Sequence, residues 1–182
     1  MTKHSEPVLG IDIGRVIIGA ADLSGRADTS FLSGSDEVAL STPASEGAFD
    51  AIAELTRDFA SRVWLVSKCG PRIQQLTRRW LQRQSFYERT GLRPDRVRFC
   101  RERHEKRDHC ADIGATHFVD DRLDVLEHLN GLVPHLYWFG HQIGKASAPA
   151  WAQPVRDWSE ARGLILSQLG ARRGGSAPGR DR

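Results

Sequence analysis

Cysteine is scarce and unpatterned: Cys69, Cys100 and Cys110 are an odd set with no spacing of a secreted disulfide scaffold. Cys100, His104, His109 and Cys110 form no C-x₂-C or H-x₃-H zinc pattern, and adjacent residues 109 and 110 point in different directions on a helix. Cys69 has no histidine fixed beside it in sequence, so it reads as a small residue packed at a strand end rather than a nucleophile. No long apolar stretch and no signal-peptide pattern occurs, so no membrane partner is expected and the expected compartment is a reducing cytoplasm. Charge of neither sign dominates, with 26 Lys+Arg against 23 Asp+Glu and a formal net charge of +3. That mild excess, carried partly by the tail GARRGGSAPGRDR, permits a nucleic-acid partner without indicating one. At 182 residues the chain can bury one good core but not two large lobes.

What is present is an alternation of strands and helices. Val8–Ile13 reads as a short apolar strand, and VIIGAADL as either its hairpin partner or the start of an excursion. Residues 22 to about 42 read as a loop, within a flap over about 17–42. TPASEGAFDAIAELTRDFASR places Phe49, Ile52, Leu55 and Phe59 at helical spacing, with Thr42 or Ser45 as a cap and Pro43 in the first turn. VWLVS (63–67) is a strand. A helix opens at Gly70-Pro71, with Ile73, Leu76 and Trp80 inward and Gly91 as its stop. RVRFC (96–100), the helix HEKRDHCADIG, THFVDD (116–121), the helix LDVLEHLNG, HLYWFG (135–140) and a last helix VRDWSEARGLILSQLG follow. Trp64, Tyr137 and Trp138 read as core, and Trp151 and Trp158 as covers for the sheet edge or last helix. The expected architecture is an α/β three-layer Rossmann-like domain over residues 7–169 with a mainly parallel five-stranded sheet, flanked by disordered ends (1–6 and 170–182).

In such sheets ligands sit beyond the carboxyl ends of the strands. The polar residues there are few: Asp12, then Ser67 with Lys68, then the run RERHEK, then Asp120 and Asp121. Three carboxylates at neighbouring strand ends repel one another unless a hard cation such as Mg²⁺ sits among them. The same ion can neutralise phosphoryl oxygens while Asp12 attacks phosphorus, with a serine hydroxyl and a lysine ammonium holding the remaining oxygens. Ser67 and Lys106 suit those roles.

The order LGIDIG, LVSKCG, Lys106 and HFVDDRLDVL resembles motifs I to IV of the haloacid dehalogenase-like phosphohydrolase superfamily over roughly residues 8 to 140. The form VDDR is similar to that of deoxyribonucleotidase-type 5′-nucleotidases. The resemblance implies Asp12 as nucleophile and Mg²⁺ ligand, the Gly14 carbonyl as a second ligand, and Ser67 on the phosphoryl group. It further implies Lys106 as the motif III cation, Asp121 as the direct acidic ligand, and Asp120 holding a metal-bound water or the lysine. The chain departs from the family at Gly14, where most phosphatases have the aspartate that protonates the leaving group. An activated substrate, another acid (His104 or His141), or binding without turnover each answer that absence. Arg15 is a second departure, since the family usually has a small residue there; its guanidinium can grip an extra anionic group of the substrate. Lys68 and His104 are further substrate-binding candidates. No large cap is present, so the site is expected to be open to a phosphorylated nucleotide, another metabolite or a macromolecule, with Arg72, Arg78, Arg79, Arg83, Arg101 and Arg103 nearby in sequence. Arginine-rich helix faces are also commonly just solvated. Two other classes stand beside the phosphatase: a degenerate phosphate-binding module, and an ATP-binding sugar-kinase or actin-like phosphotransferase. The latter needs two related lobes, for which 182 residues are too few.

Overall fold

The computed structural model describes residues 6–19, 35–140 and 147–174, with side chains to residue 170. Of the ends expected to be disordered, 1–6 and 170–182, residues 1–5 and 175–182 lie outside the described residues, as do residues 20–34 of the flap expected over about 17–42 and His141, while residues 170–174 are helical. The fold is built on a six-stranded, wholly parallel sheet in the order β3-β2-β1-β4-β5-β6. The strands are β1 (Leu9–Ile11), β2 (Val63–Lys68), β3 (Val97–Cys100), β4 (His117–Asp120), β5 (His135–Phe139) and β6 (Ala152–Val155). Six strands stand where five were expected. The sixth, AQPV, was hidden by Pro154, which has no N–H for a ladder. At the sheet edge only one side must pair, and Pro154 lies opposite Trp138 of β5 without cost to a second neighbour.

The helices are α1 (Asp36–Leu40), α2 (Ala48–Asp58), α3 (Pro71–Arg83), α4 (Phe86–Thr90), α5 (Lys106–Ile113), α6 (Leu123–Leu129) and α7 (Trp158–Gly174). One core packs α2, α3, α4 and α7 against the sheet through Ile52, Leu55, Trp80, Phe86 and Ile165. The other lies on the opposite face, where Cys110, Leu126 and Leu129 of α5 and α6 meet Val66, Phe118 and Trp138. These are the three layers that right-handed parallel crossovers produce.

Five local expectations meet a more specific or different structure. Of the two readings of VIIGAADL, the hairpin partner is not what its described part forms: residues 16–19 make a tight turn in which Ile18 has isolated bridges to Gly14 and Ala44. The presumed loop contains α1, whose Ser35 side chain accepts a hydrogen bond from the Val38 N–H. The helix expected from Thr42 starts at Ala48 after Gly47, in the left-handed conformation at φ 71°. Neither Thr42 nor Ser45 caps it, since the Thr42 hydroxyl donates back to the Val38 carbonyl and the Ser45 N–H donates to Ile17 O at 2.8 Å. Finally, the helix opening at Pro71 breaks at Ser85 (φ 51°), and Gly91, at φ 70°, closes only its second piece. The last helix likewise begins at Trp158, because Val155 belongs to β6.

β1 is buried on both sides, and its middle residue must be glycine for a steric reason. A Cβ at Gly10 would lie 2.4 Å from Cδ2 of Phe118, its register partner on β4. Gly10→Ala is therefore expected to destabilise the domain by about 1–3 kcal/mol through overpacking. Thermal melting checks this, with Gly10→Ala/Phe118→Leu recovering part of the loss.

Candidate active site

The site forms where the central strands end together. β1 delivers Asp12, whose N–H donates to Val119 O of β4 at 2.9 Å and so locks the first acid to the strand that carries the others. The chain then turns sharply: the Ile13 carbonyl accepts from the N–H groups of Ile17 and Ile18 at 2.9 and 3.0 Å, and Arg15 sits at φ 60°. Two tryptophans fix this geometry from behind. Trp158 Nε1 donates to Val16 O at 2.8 Å, and Trp138 Nε1 donates to Asp121 O at 3.1 Å. A buried indole needs an acceptor, and here both acceptors are backbone carbonyls of the site loops.

Asp12, Asp120 and Asp121 are all buried, and one oxygen from each lies within 4.8 Å of the others. Lys106, the first residue of α5 and also buried, bridges two of them, with Nζ 2.8 Å from Asp12 Oδ1 and 2.6 Å from Asp120 Oδ2. Asp120 Oδ1 accepts from the Arg122 N–H at 3.0 Å. Both oxygens of Asp120 are thus engaged by the protein, one of them by the lysine. Asp121 Oδ2 lies 2.9 Å from Arg15 Nε, a pairing the sequence did not disclose.

Burial and crowding raise both acids of β4's end. Burial pushes the Asp120 carboxyl up to about 6, against the pull of Lys106 and with a further push from Asp12. Burial, then Asp12 and Asp120, push Asp121 up to about 7, with Arg15 opposing. For Lys106, burial disfavours the charge, but the Asp12 and Asp120 carboxylates outweigh it and hold the ammonium above its ordinary value. Three carboxylates against two cations leave negative charge uncompensated, in an all-oxygen donor set. That set fits a hard divalent ion such as Mg²⁺, with Asp12 and Asp121 as the protein carboxylates to hold it.

Beside this centre lies a cleft of about 410 Å³. Asp12, Gly14, Arg15, Ser67, Lys68 and Lys106 line it together with Asp121, Arg103, Arg122 and an apolar wall that includes Ile73 and Val125. The Ser67 hydroxyl has no hydrogen-bond partner among the described residues. His104 is exposed and absent from the lining, with its ring 6.4 Å from that of His128. Of the six arginines near the site in sequence, only Arg103 lines the cleft. Arg72 and Arg79 pair with Asp36, Arg83 pairs with Glu37, and Arg78 lies over the Phe99 ring. Burial, with the charge of Asp12 next, raises the Cys69 thiol to about 11, so at neutral pH it is not the thiolate a nucleophile requires.

No family model and no curated protein matches the sequence at a significant level. Solved structures do match in shape. A D,D-heptose 1,7-bisphosphate phosphatase from B. bronchiseptica, complexed with magnesium and phosphate, superposes with a TM-score of 0.64 at 15% identity, covering 89% of this chain and 99% of that one. The chain has a haloacid dehalogenase-like fold. A second D,D-heptose 1,7-bisphosphate phosphatase, from Burkholderia thailandensis, gives 0.57 at 15% identity over 88% of this chain and 99% of that one. A haloacid dehalogenase-like family hydrolase from Xanthomonas campestris gives 0.59 at 14% identity over 93% and 98%. In this haloacid dehalogenase-like fold the acids at the ends of β1 and β4 stand side by side because those strands are direct neighbours.

Two outcomes follow from the charge balance. Asp120 and Asp121 have folded-state values above the ordinary 3.8, so between pH about 4 and about 7 the folded protein holds more protons than the unfolded chain, and metal-free stability falls as pH rises through that window. The rise in Tm on adding Mg²⁺ is therefore expected to be larger at pH about 8 than at about 5, checked by melts with Mg²⁺ and with chelator. Lys106→Met should cost about 3–5 kcal/mol at neutral pH by leaving buried carboxylates unpaired, and visibly less in acid, as read by denaturant unfolding.

Proposed function

We propose that the protein is a Mg²⁺-dependent phosphohydrolase in which Asp12 forms an aspartyl-phosphate intermediate. The observation that carries this is the buried Asp12–Lys106–Asp120 set at the edge of a cleft that also presents the Ser67 hydroxyl. Lys106 holds Asp12 by Oδ1, which leaves its second carboxylate oxygen as the attacking atom. The bond from that oxygen to phosphorus forms as the bond to the leaving group breaks, and the electron pair departs with the leaving group. Water then attacks phosphorus as the bond from phosphorus to the Asp12 oxygen breaks, which returns the carboxylate, and the proton of the water passes to the released phosphate. Ser67 donates its hydroxyl to one phosphoryl oxygen, and Lys106 donates its remaining N–H to another. Asp12 and Asp121 would hold a Mg²⁺, which would supply charge neutralisation at the phosphoryl oxygens. That structural neighbours are phosphatases, one of them complexed with magnesium and phosphate, supports the same chemistry in this fold.

The leaving group is constrained by what position 14 lacks. Among the described cleft residues the only carboxyl groups are Asp12 and Asp121, both already in use, and no histidine lines the cleft. Nor is glycine imposed by packing among the described residues, none of which a Cβ at Gly14 would meet within 4 Å. With no free carboxyl or imidazole among the described cleft residues to protonate the leaving group, the site forgoes a factor of about 10²–10⁴ on alkoxide leaving groups. The substrates that suit it leave as stable anions: acyl phosphates and phosphoanhydrides.

Phosphate release from acetyl phosphate is expected to require Mg²⁺, to be abolished in Asp12→Asn, and to exceed release from glycerol phosphate by about 10²-fold or more. Gly14→Asp should raise the glycerol phosphate rate. A nucleoside monophosphate belongs in the same panel because VDDR resembles the nucleotidases. Mg²⁺ binding with no turnover of any of these compounds would establish the non-catalytic phosphate-binding module instead.

A further inference from the structure

The cleft carries more positive charge at its rim than one phosphoryl group accounts for. At the centre, Lys106 and Arg15 face three carboxylates. At the rim, Arg103 and Arg122 share a single carboxylate, Asp124, at 3.6 and 2.9 Å. Lys68 pairs with no carboxylate among the described residues; it is exposed, lines the cleft and directly follows Ser67 at the end of β2. Arg15 lines the same cleft, directly after the open backbone of Gly14, and its side chain is 37% exposed although its Nε lies against Asp121. Its φ of 60° is one that a residue with a side chain rarely adopts, and it is held there by an N–H bond to Ile18 O at 2.7 Å. The tight turn thereby fixes a guanidinium at the mouth of the site, where the resembled family usually has a small residue. Uncompensated cations lining a cleft of small-molecule size concentrate a ligand of higher negative charge.

Resting on the phosphohydrolase reading above, we propose that the substrate carries a second anionic group, a carboxylate or another phosphate, which Lys68 and the terminal nitrogens of Arg15 bind while Asp12 engages the first. The planar guanidinium suits a two-oxygen acceptor, and Lys68 adds a point charge that tolerates variation in where that acceptor sits. Arg15 and Lys68 are then the specificity-determining residues of the cleft, acting on a part of the substrate that does not react.

The test uses the Mg²⁺-loaded protein and three non-hydrolysable probes followed by calorimetry: methylphosphonate, phosphonoacetate and 3-phosphonopropionate. At least one of the two carboxylated probes is expected to bind about tenfold or more tightly than methylphosphonate. That preference should fall toward one in Lys68→Ala and in Arg15→Gln, with melting curves confirming that both variants are folded. Equal affinity for all three probes, no detectable binding of the carboxylated ones, or a preference that survives both substitutions overturns the proposal. Acetyl phosphate has no second anionic group, so its turnover by the same preparation reports on the phosphohydrolase reading separately. Turnover without probe preference removes only the second-anion site.

Discussion

A buried ammonium between two buried carboxylates organises this protein. Lys106 is brought to Asp12 from 94 positions away and to Asp120 from 14, and without it the ends of β1 and β4 would carry like charges into a low-dielectric pocket. Such a set is expensive to bury and strongly specific once formed, because removing any member leaves the others uncompensated. The fold meets that demand by placing the two strands side by side and by starting α5 at the lysine itself. Even so the compensation is incomplete, and the remaining negative charge is what makes the site fit a divalent ion.

The supporting shell is mostly indole and backbone. Trp158 and Trp138 each direct an N–H at a carbonyl of a site loop, and Trp80 does the same for Thr42 at 2.8 Å. Large side chains in the hydrophobic layers thereby become positioning devices for polar loops, so core packing and site geometry are coupled. On the outer surface, α1 is tied to α3 by Asp36 with Arg72 and Arg79, and by Glu37 with Arg83. Those exposed pairs absorb arginines that a sequence reading could have offered to a polyanionic partner.

The parts legible in the sequence were those set by local pattern: apolar runs that end in an acid, a serine or a glycine, and helical stripes such as Leu76 and Trp80. Their order along the chain also sufficed for the three-layer architecture, since parallel crossovers admit few topologies. What escaped depended on partners distant in sequence. β6 contains a proline that only an edge position tolerates, and the break after Arg83 rests on Ser85 adopting a left-handed conformation. The pairing of Arg15 with Asp121 joins residues that nothing in the local pattern connects. Trp158 read as a cover for the last helix, but its N–H has a precise acceptor that appears only when α7 is laid against the first turn.

On the proposed reading, the buried Asp12–Lys106–Asp120 set is combined with a glycine at position 14, and the two features together narrow the reaction more than either alone. In that proposal Asp12 carries the phosphoryl group and the bare position 14 restricts the group that can depart. The most direct measurement is a crystal structure of the protein with Mg²⁺ and the phosphoryl mimic BeF₃⁻. The account predicts beryllium bonded to the Asp12 oxygen that does not face Lys106, the Ser67 hydroxyl on a fluorine, and the metal between Asp12 and Asp121. Fluoroberyllate or metal located away from Asp12, with Lys106 no longer bridging Asp12 and Asp120, would contradict it.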